Sequence, residues 1–105
     1  MTGHRCAPWP LLLGLSLALT SGAALAADVN KGRQLYAQQC AICHGPSGTG
    51  VLPGSPNFSR GEALMRPDFS LLASVRMGKN AMPAFRGLLA DRDILDVIAY
   101  IRTLH

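Results

Sequence analysis

At 105 residues, 49% of them hydrophobic and 15% charged, the chain is long enough to enclose one small core and no more. Its formal net charge of +4 is spread without any run of Lys or Arg, which argues against nucleic-acid binding. Three cysteines are too few for a scaffold framed by disulfides.

The chain opens with the marks of an export signal. His4 and Arg5 give a positive start, Leu11 to Leu19 is an apolar run, and Ala24-Leu25-Ala26 fits the small-residue cleavage pattern. Residues 1–26 are therefore expected to be a cleaved signal peptide, with cleavage after Ala27 as the near alternative. A retained membrane anchor is the rival reading, but Gly14, Ser16, Thr20, Ser21 and Gly22 dilute the apolar stretch. Cleavage leaves a domain over residues 27–105, 79 positions in all, exported to the periplasm and without stable membrane insertion. It also removes Arg5 and Cys6, so nine Lys and Arg face six Asp and Glu, and Cys40 and Cys43 are the cysteines that remain. A core of that size usually needs a staple such as a metal or a cofactor.

The first helix is predicted from about Asp28 to Gln39, with Asp28 as its N-cap. Val29, Gly32, Tyr36 and Cys40 recur at three- to four-residue spacing and share one face. Gly32 weakens an exposed helix by about 1 kcal/mol relative to Ala, so its presence points to close approach by another helix. This helix ends on Cys40-Ala41-Ile42-Cys43-His44, a C-x-x-C-H motif. Two thiols three positions apart can each add across a vinyl group on one edge of a porphyrin, and the histidine then lies against the iron. That pattern marks c-type haem attachment. A zinc site as a rule needs four ligands; Cys40, Cys43 and His44 are too cramped to give a tetrahedral set, and only His105 remains to complete one. A dithiol redox motif asks for a βαβ context, and no alternating strand pattern occurs here.

Residues 45–58 hold four glycines and three prolines and form a loop on any reading. Val51, Leu52 and Phe58 are apolar enough for that loop to pack around a bulky ligand. The carbonyl of Pro53 or of Pro56 is expected to accept from the far ring nitrogen of His44 and so set its tautomer. A second helix is predicted from Pro67 to Met77, with Pro67 at the first helical position, Asp68 in the first turn and Gly78 as the stop. Phe69, Leu72 and the Val75-Arg76 step are expected on one side, with Leu71 and Val75 paired.

Between this helix and the next lies Met82-Pro83-Ala84-Phe85. Iron held by one histidine keeps a sixth position, and a thioether there favours the ferrous state. Met65, Met77 and Met82 compete for that role; Met82 is favoured because it sits on a loop stiffened by Pro83. The last helix is capped by Asp91, carries Asp93 in its first turn and Arg102 in its last, and shows a full stripe of Ile94, Val97, Ile98 and Ile101. The stripe is ordinary core packing.

Taken together, His44 after C-x-x-C, the early Gly32-Arg33-Gln34-Leu35-Tyr36, Met82-Pro83-Ala84-Phe85 and the Asp-Val-Ile-Ala-Tyr-Ile of residues 96–101 resemble a small bacterial class I cytochrome c over nearly all of the exported chain. The resemblance implies an all-α, compact fold in which three main helices and their loops wrap one covalent haem. Its N- and C-terminal helices would cross near Gly32, Tyr36 and Tyr100. It implies one haem c bound to Cys40 and Cys43 through two thioethers, with its iron between His44 and Met82. The function that follows is one-electron transfer between redox partner proteins, by a monomer or a subunit docked on a larger redox enzyme, rather than catalysis. A haem peroxidase or gas-binding sensor with a labile Met82 is the alternative. Arg60, Arg66, Arg76, Lys79 and Arg86 are expected to form a basic rim for acidic partners, opposite Asp91, Asp93 and Asp96 on the last helix.

Overall fold

The computed structural model describes residues 2–11, 13, 14, 16, 18 and 26–105. The remaining positions of the expected signal segment lie outside the described residues. Among those described, no helix is long and apolar enough to cross a membrane.

The elements in order are α1 (Val29–Gln39), a single helical turn α2 (Ala41–His44), a 3-10 turn (Phe58–Arg60), α3 (Asp68–Met77) and α4 (Asp91–Arg102). The expected all-α architecture is present, with α2 and the 3-10 turn added to the three main helices. Both additions are shorter than the hydrophobic period needs to declare itself.

Helix α1 starts where Asp28 caps it, the carboxylate accepting from the Lys31 N–H. Its buried face is Gly32 and Tyr36, whereas Val29 is exposed. That face packs on α4, and Gly32 is where the two backbones meet. A Cβ built on Gly32 would lie 2.0 Å from the Asp96 carbonyl oxygen and 3.0 Å from the Val97 nitrogen. The helix thus accepts the weakness of glycine in exchange for a contact that no side chain permits. One helical turn away, the Tyr36 and Tyr100 rings meet edge to face at 5.3 Å.

Helix α4 buries Ile94, Val97, Ile98 and Ile101, the stripe expected of it. Two corrections apply to its acidic residues. Ala90 holds the N-cap position without a side-chain cap bond, and Asp91 is the first helical residue, paired with Arg76 at 3.2 Å. Asp96 is not a surface charge: it is 1% exposed, and its carboxylate accepts from the Asp28 N–H at 2.8 Å. The last helix therefore reaches back and satisfies one of the free amides at the start of the first.

Helix α3 begins one residue later than predicted, with Pro67 as its N-cap residue, and stops at Gly78, whose N–H bonds the Ser74 carbonyl. It buries Leu71 against Ile94 and Ile98, with Leu72 and Val75 alongside. Phe69, expected on that side, instead faces out at 74% exposure. A second cluster gathers Tyr36, Phe58, Leu64, Val97 and Ile101 on the other flank of α4. Helix α4 is shared by both clusters, so α1 and α3 are fixed relative to one another through it.

Gly32→Ala should force α1 away from α4. The gain in helix propensity is about 1 kcal/mol, against an overpacking penalty of about 1–3 kcal/mol or more where the opposing atom is backbone. Urea unfolding of the haem-loaded protein should show a lower midpoint at an unchanged slope.

Candidate functional site

Helix α1 breaks at Cys40, and the chain rewinds at once into α2. The N–H groups of Cys43 and His44 both bond the Cys40 carbonyl, at 3.2 and 3.0 Å. Cys40 and Cys43 are therefore one tight turn apart, with His44 directly after them. Neither thiol is in a disulfide. Burial pushes the Cys40 thiol up to about 11, so it stays protonated near neutral pH.

Beyond His44 the glycine-rich segment is ordered and folds back on the motif. Gly50 donates to the His44 carbonyl at 2.8 Å, and the Val51 and Leu52 N–H groups both donate to the Cys43 carbonyl at 2.9 Å. Phe58 is then laid against His44, the rings stacked 4.9 Å apart and 19° from parallel. Burial lowers the pKa of His44, which keeps the imidazole neutral, the form that binds metals. Its Nδ1 is buried without a hydrogen-bond partner, and the residue borders the neighbouring cavity. The expected bond from Pro53 or Pro56 is not made, although both prolines line that cavity.

Tyr36 was not legible as a site residue. Its hydroxyl donates to the Gly45 carbonyl at 2.6 Å, a buried bond from the middle of α1 to the residue after His44. Burial holds its phenol up at about 12, so it remains a donor at any ordinary pH.

On the far side of the molecule the chain after α3 makes a narrow return. Lys79 and Met82 exchange both backbone hydrogen bonds, at 3.1 and 2.9 Å, with Asn80 in the left-handed region between them. Phe85 and Arg86 then donate to the carbonyls of Val75 and Arg76 at the end of α3. Gly78 sits beneath this return: a Cβ there would fall 2.7 Å from the Met82 carbonyl oxygen and 2.8 Å from the Ala84 nitrogen.

Between the two halves lies a cavity of about 760 Å³, inside the range of roughly 300–1,000 Å³ typical of cofactor sites. Cys40, Cys43, His44 and Met82 all border it, over a floor that includes Leu71, Val75, Phe85, Ile94 and Ile98. Met65 and Met77 do not border it and are 96% and 67% exposed. Two cysteines, a half-buried histidine whose pKa is lowered by burial, a methionine and an apolar wall make a donor set that fits an iron porphyrin.

The comparisons agree with this chemistry. Residues 27–101 match the family model described as cytochrome C oxidase, cbb3-type, subunit III. The cytochrome c6 of Thermosynechococcus vestitus is 39% identical over 95 residues, covering 87% of this chain and 82% of that protein. The chain belongs to the class I cytochrome c family. The cytochrome c6 of a Nostoc species is 35% identical over 96 residues, with 87% and 86% covered. Among solved structures, cytochrome c6 from the diatom Phaeodactylum tricornutum superposes with a TM-score of 0.60 at 34% identity, covering 73% of this chain and 93% of that one.

As a member of this family the chain is a small electron carrier, not an enzyme, with one covalently bound haem c. The peroxidase or sensor alternative is not favoured.

Tyr36→Phe deletes one buried hydrogen bond while Gly45 keeps the Gly48 N–H as a donor at 3.1 Å. A loss of about 0.5–1.5 kcal/mol is expected, read as a lower denaturation midpoint with the visible spectrum kept.

Proposed function

We propose that this chain works as an exported one-electron carrier in which Cys40 and Cys43 form the two thioethers and His44 and Met82 take the two axial positions of the iron. The observation that carries the reading is that His44 and Met82, on separate elements, border one apolar cavity whose rim holds both cysteines. Haem c held in this way supplies reversible exchange of one electron between Fe(II) and Fe(III).

The residues around it do the rest. An iron held by His44 on one side and Met82 on the other would have no position left for substrate or oxygen. The Met82 thioether and the apolar wall both disfavour the added charge of the ferric state, so the potential should be positive. Each ligand is held by backbone hydrogen bonds on either flank, at Gly50 for His44 and at Lys79 for Met82, which keeps rearrangement on electron transfer small.

The working domain is residues 27–105 in the periplasm, after removal of residues 1–26. Its partners are redox proteins that donate or accept the electron, met as a monomer or from a docked position, with no role for nucleic acid or stable membrane insertion. Charge supports a choice among partners. All six Asp and Glu side chains are engaged within the chain: Asp68, Asp91 and Asp93 in ion pairs, Asp28 and Glu62 on nearby backbone amides, and Asp96 in the core. Arg60, Arg66, Lys79 and Arg86 have no carboxylate within ion-pair distance among the described residues. Arg76 of the expected basic rim is instead tied to Asp91. Of these, Arg66 and Lys79 border the cavity, and positive charge there favours partners with acidic docking faces.

Carbon monoxide added to the reduced protein tests the ligand set. The spectrum should not change in the natural chain, whereas Met82→Ala should take up one carbon monoxide per haem. Rapid binding by the natural chain would bring the sensor reading forward. Removal of the cofactor tests its structural weight: Cys40→Ala/Cys43→Ala should leave a largely unfolded polypeptide by circular dichroism, since the cavity wall is most of the core. A cooperative unfolding transition without haem would contradict this.

A further inference from the structure

The haem that the cavity fits carries two carboxylates on the edge opposite its vinyl groups. A wall that accepts it must therefore meet two anions at a place remote from Cys40 and Cys43. Of the polar side chains on the wall, the Ser55 hydroxyl lies 3.4 Å from the Cys43 carbonyl, and Ser74 is engaged by Ser70 and Arg66. Asn80 and Lys79, the second cation there, lie on the Met82 return, where Lys79 offers a point charge and no two-pronged donor. The Tyr36 hydroxyl is spent on the Gly45 carbonyl, and Gln39 adjoins Cys40 at the thioether end. The Glu62 carboxylate has the wrong sign and is itself held by the Asn57 N–H at 2.6 Å.

Arg66 is different. It borders the cavity one residue before Pro67, the N-cap of α3, and its guanidinium runs back along that helix. One terminal nitrogen, Nη2, donates to the Ser70 hydroxyl at 2.8 Å, to the Ser74 hydroxyl at 2.9 Å and to the Ser70 carbonyl at 3.2 Å. Those contacts spend one corner of a planar five-donor group and are all neutral. No carboxylate lies within ion-pair distance of it among the described residues, although Asp68 is two positions along the chain; Asp68 is taken by Arg102. Arg102 also donates to the Arg66 carbonyl, which fixes the backbone from which the side chain springs. Serines four and eight residues on thus hold a cation in one place with its charge uncompensated and its other nitrogens free. That is a preorganised receptor for a planar anion.

We infer that Arg66, braced by Ser70 and Ser74, binds a haem propionate. This inference rests on the haem reading of the same cavity. By neutralising that carboxylate, Arg66 removes negative charge from the neighbourhood of the iron, which disfavours the ferric state and raises the potential. It is a binding residue for the cofactor and takes no part in the electron's path.

The test compares the haem-loaded natural chain with Arg66→Gln, Arg66→Lys and Ser70→Ala/Ser74→Ala, by voltammetry and by redox-difference infrared spectra in the carboxylate region. Arg66→Gln should lower the potential and shift a carboxylate band. Arg66→Lys should restore most of the potential but not the band position, since a point charge cannot form the two-pronged bond. The serine pair should give an intermediate drop as the guanidinium loses its brace. A potential and band both unmoved in Arg66→Gln, with only a lower denaturation midpoint, would reduce Arg66 to a brace for α3 and overturn the inference. A potential that moves without the band would overturn it too, since the arginine would then act from a distance. A natural chain without any haem spectrum would instead sink the underlying reading of the site, an outcome distinct from either.

Discussion

The crossing of α1 and α4 at Gly32 is the constraint on which the site depends. Because residue 32 has no side chain, the α1 backbone can settle onto the Asp96 carbonyl, and only at that separation do Tyr36 and Tyr100 meet edge to face. Tyr36 then lies deep enough for its hydroxyl to reach the Gly45 carbonyl. A contact between the two ends of the chain is in this way converted into a fixed position for the turn that carries Cys40, Cys43 and His44. Asp96 closes the same joint from the other side by taking the Asp28 amide. A buried carboxylate with a single neutral donor would be a poor exchange for stability alone; here it sits where α1 begins and so sets the helix along its own axis as well as against its neighbour.

The other half of the site is held by a different device. Met82 is placed by backbone pairing, through the Lys79–Met82 exchange and the two bonds from Phe85 and Arg86 to the end of α3. Gly78 again supplies the room, with a φ of 73° and the Met82–Ala84 backbone passing where a Cβ would clash. The two halves share α4 as common floor and otherwise have little to hold them together across the cavity. A bound porphyrin spanning from His44 to Met82 would replace that missing core. Such a filler would compensate for the small amount of surface that a domain of this size can bury by itself.

Much of this was legible from residue types and spacing. The C-x-x-C-H motif, the helix stripe of Ile94, Val97, Ile98 and Ile101, the Asp28 cap and the need for a partner opposite Gly32 all follow from local chemistry, and the structure has each of them. What was not legible depended on distance in sequence. Asp96 reads as one more acid on an amphipathic helix until its partner, 68 positions away, is seen to be the Asp28 amide. Phe69 reads as core because it is aromatic and correctly spaced, yet α3 turns Leu71 and Val75 to the floor and leaves Phe69 outside. Tyr36 reads as packing; only the fold shows that its hydroxyl is the part that matters to the site. Met82, favoured over Met65 and Met77 for its place on a loop stiffened by Pro83, is the one of the three that borders the cavity.

The distribution of charge completes the argument from packing to function. Every Asp and Glu side chain is used to fasten the fold: three against Lys31, Arg76 and Arg102, two as caps on backbone amides, and one in the core. The cations outnumber them, so the excess is left over by construction. Two of the cations without a carboxylate, Arg66 and Lys79, border the cavity itself. Under the proposed function, a closed iron site would exchange electrons only through contact at its edge, at a rate that depends on how often a partner arrives in the right orientation. By spending its negative charge on stability, the chain leaves Lys79 at the cavity border without a carboxylate, in addition to the Arg66 inferred to serve the cofactor, where an acidic partner would dock under the proposed function. Under the proposed function, the arrangement that makes the domain stable would thus also steer electron exchange.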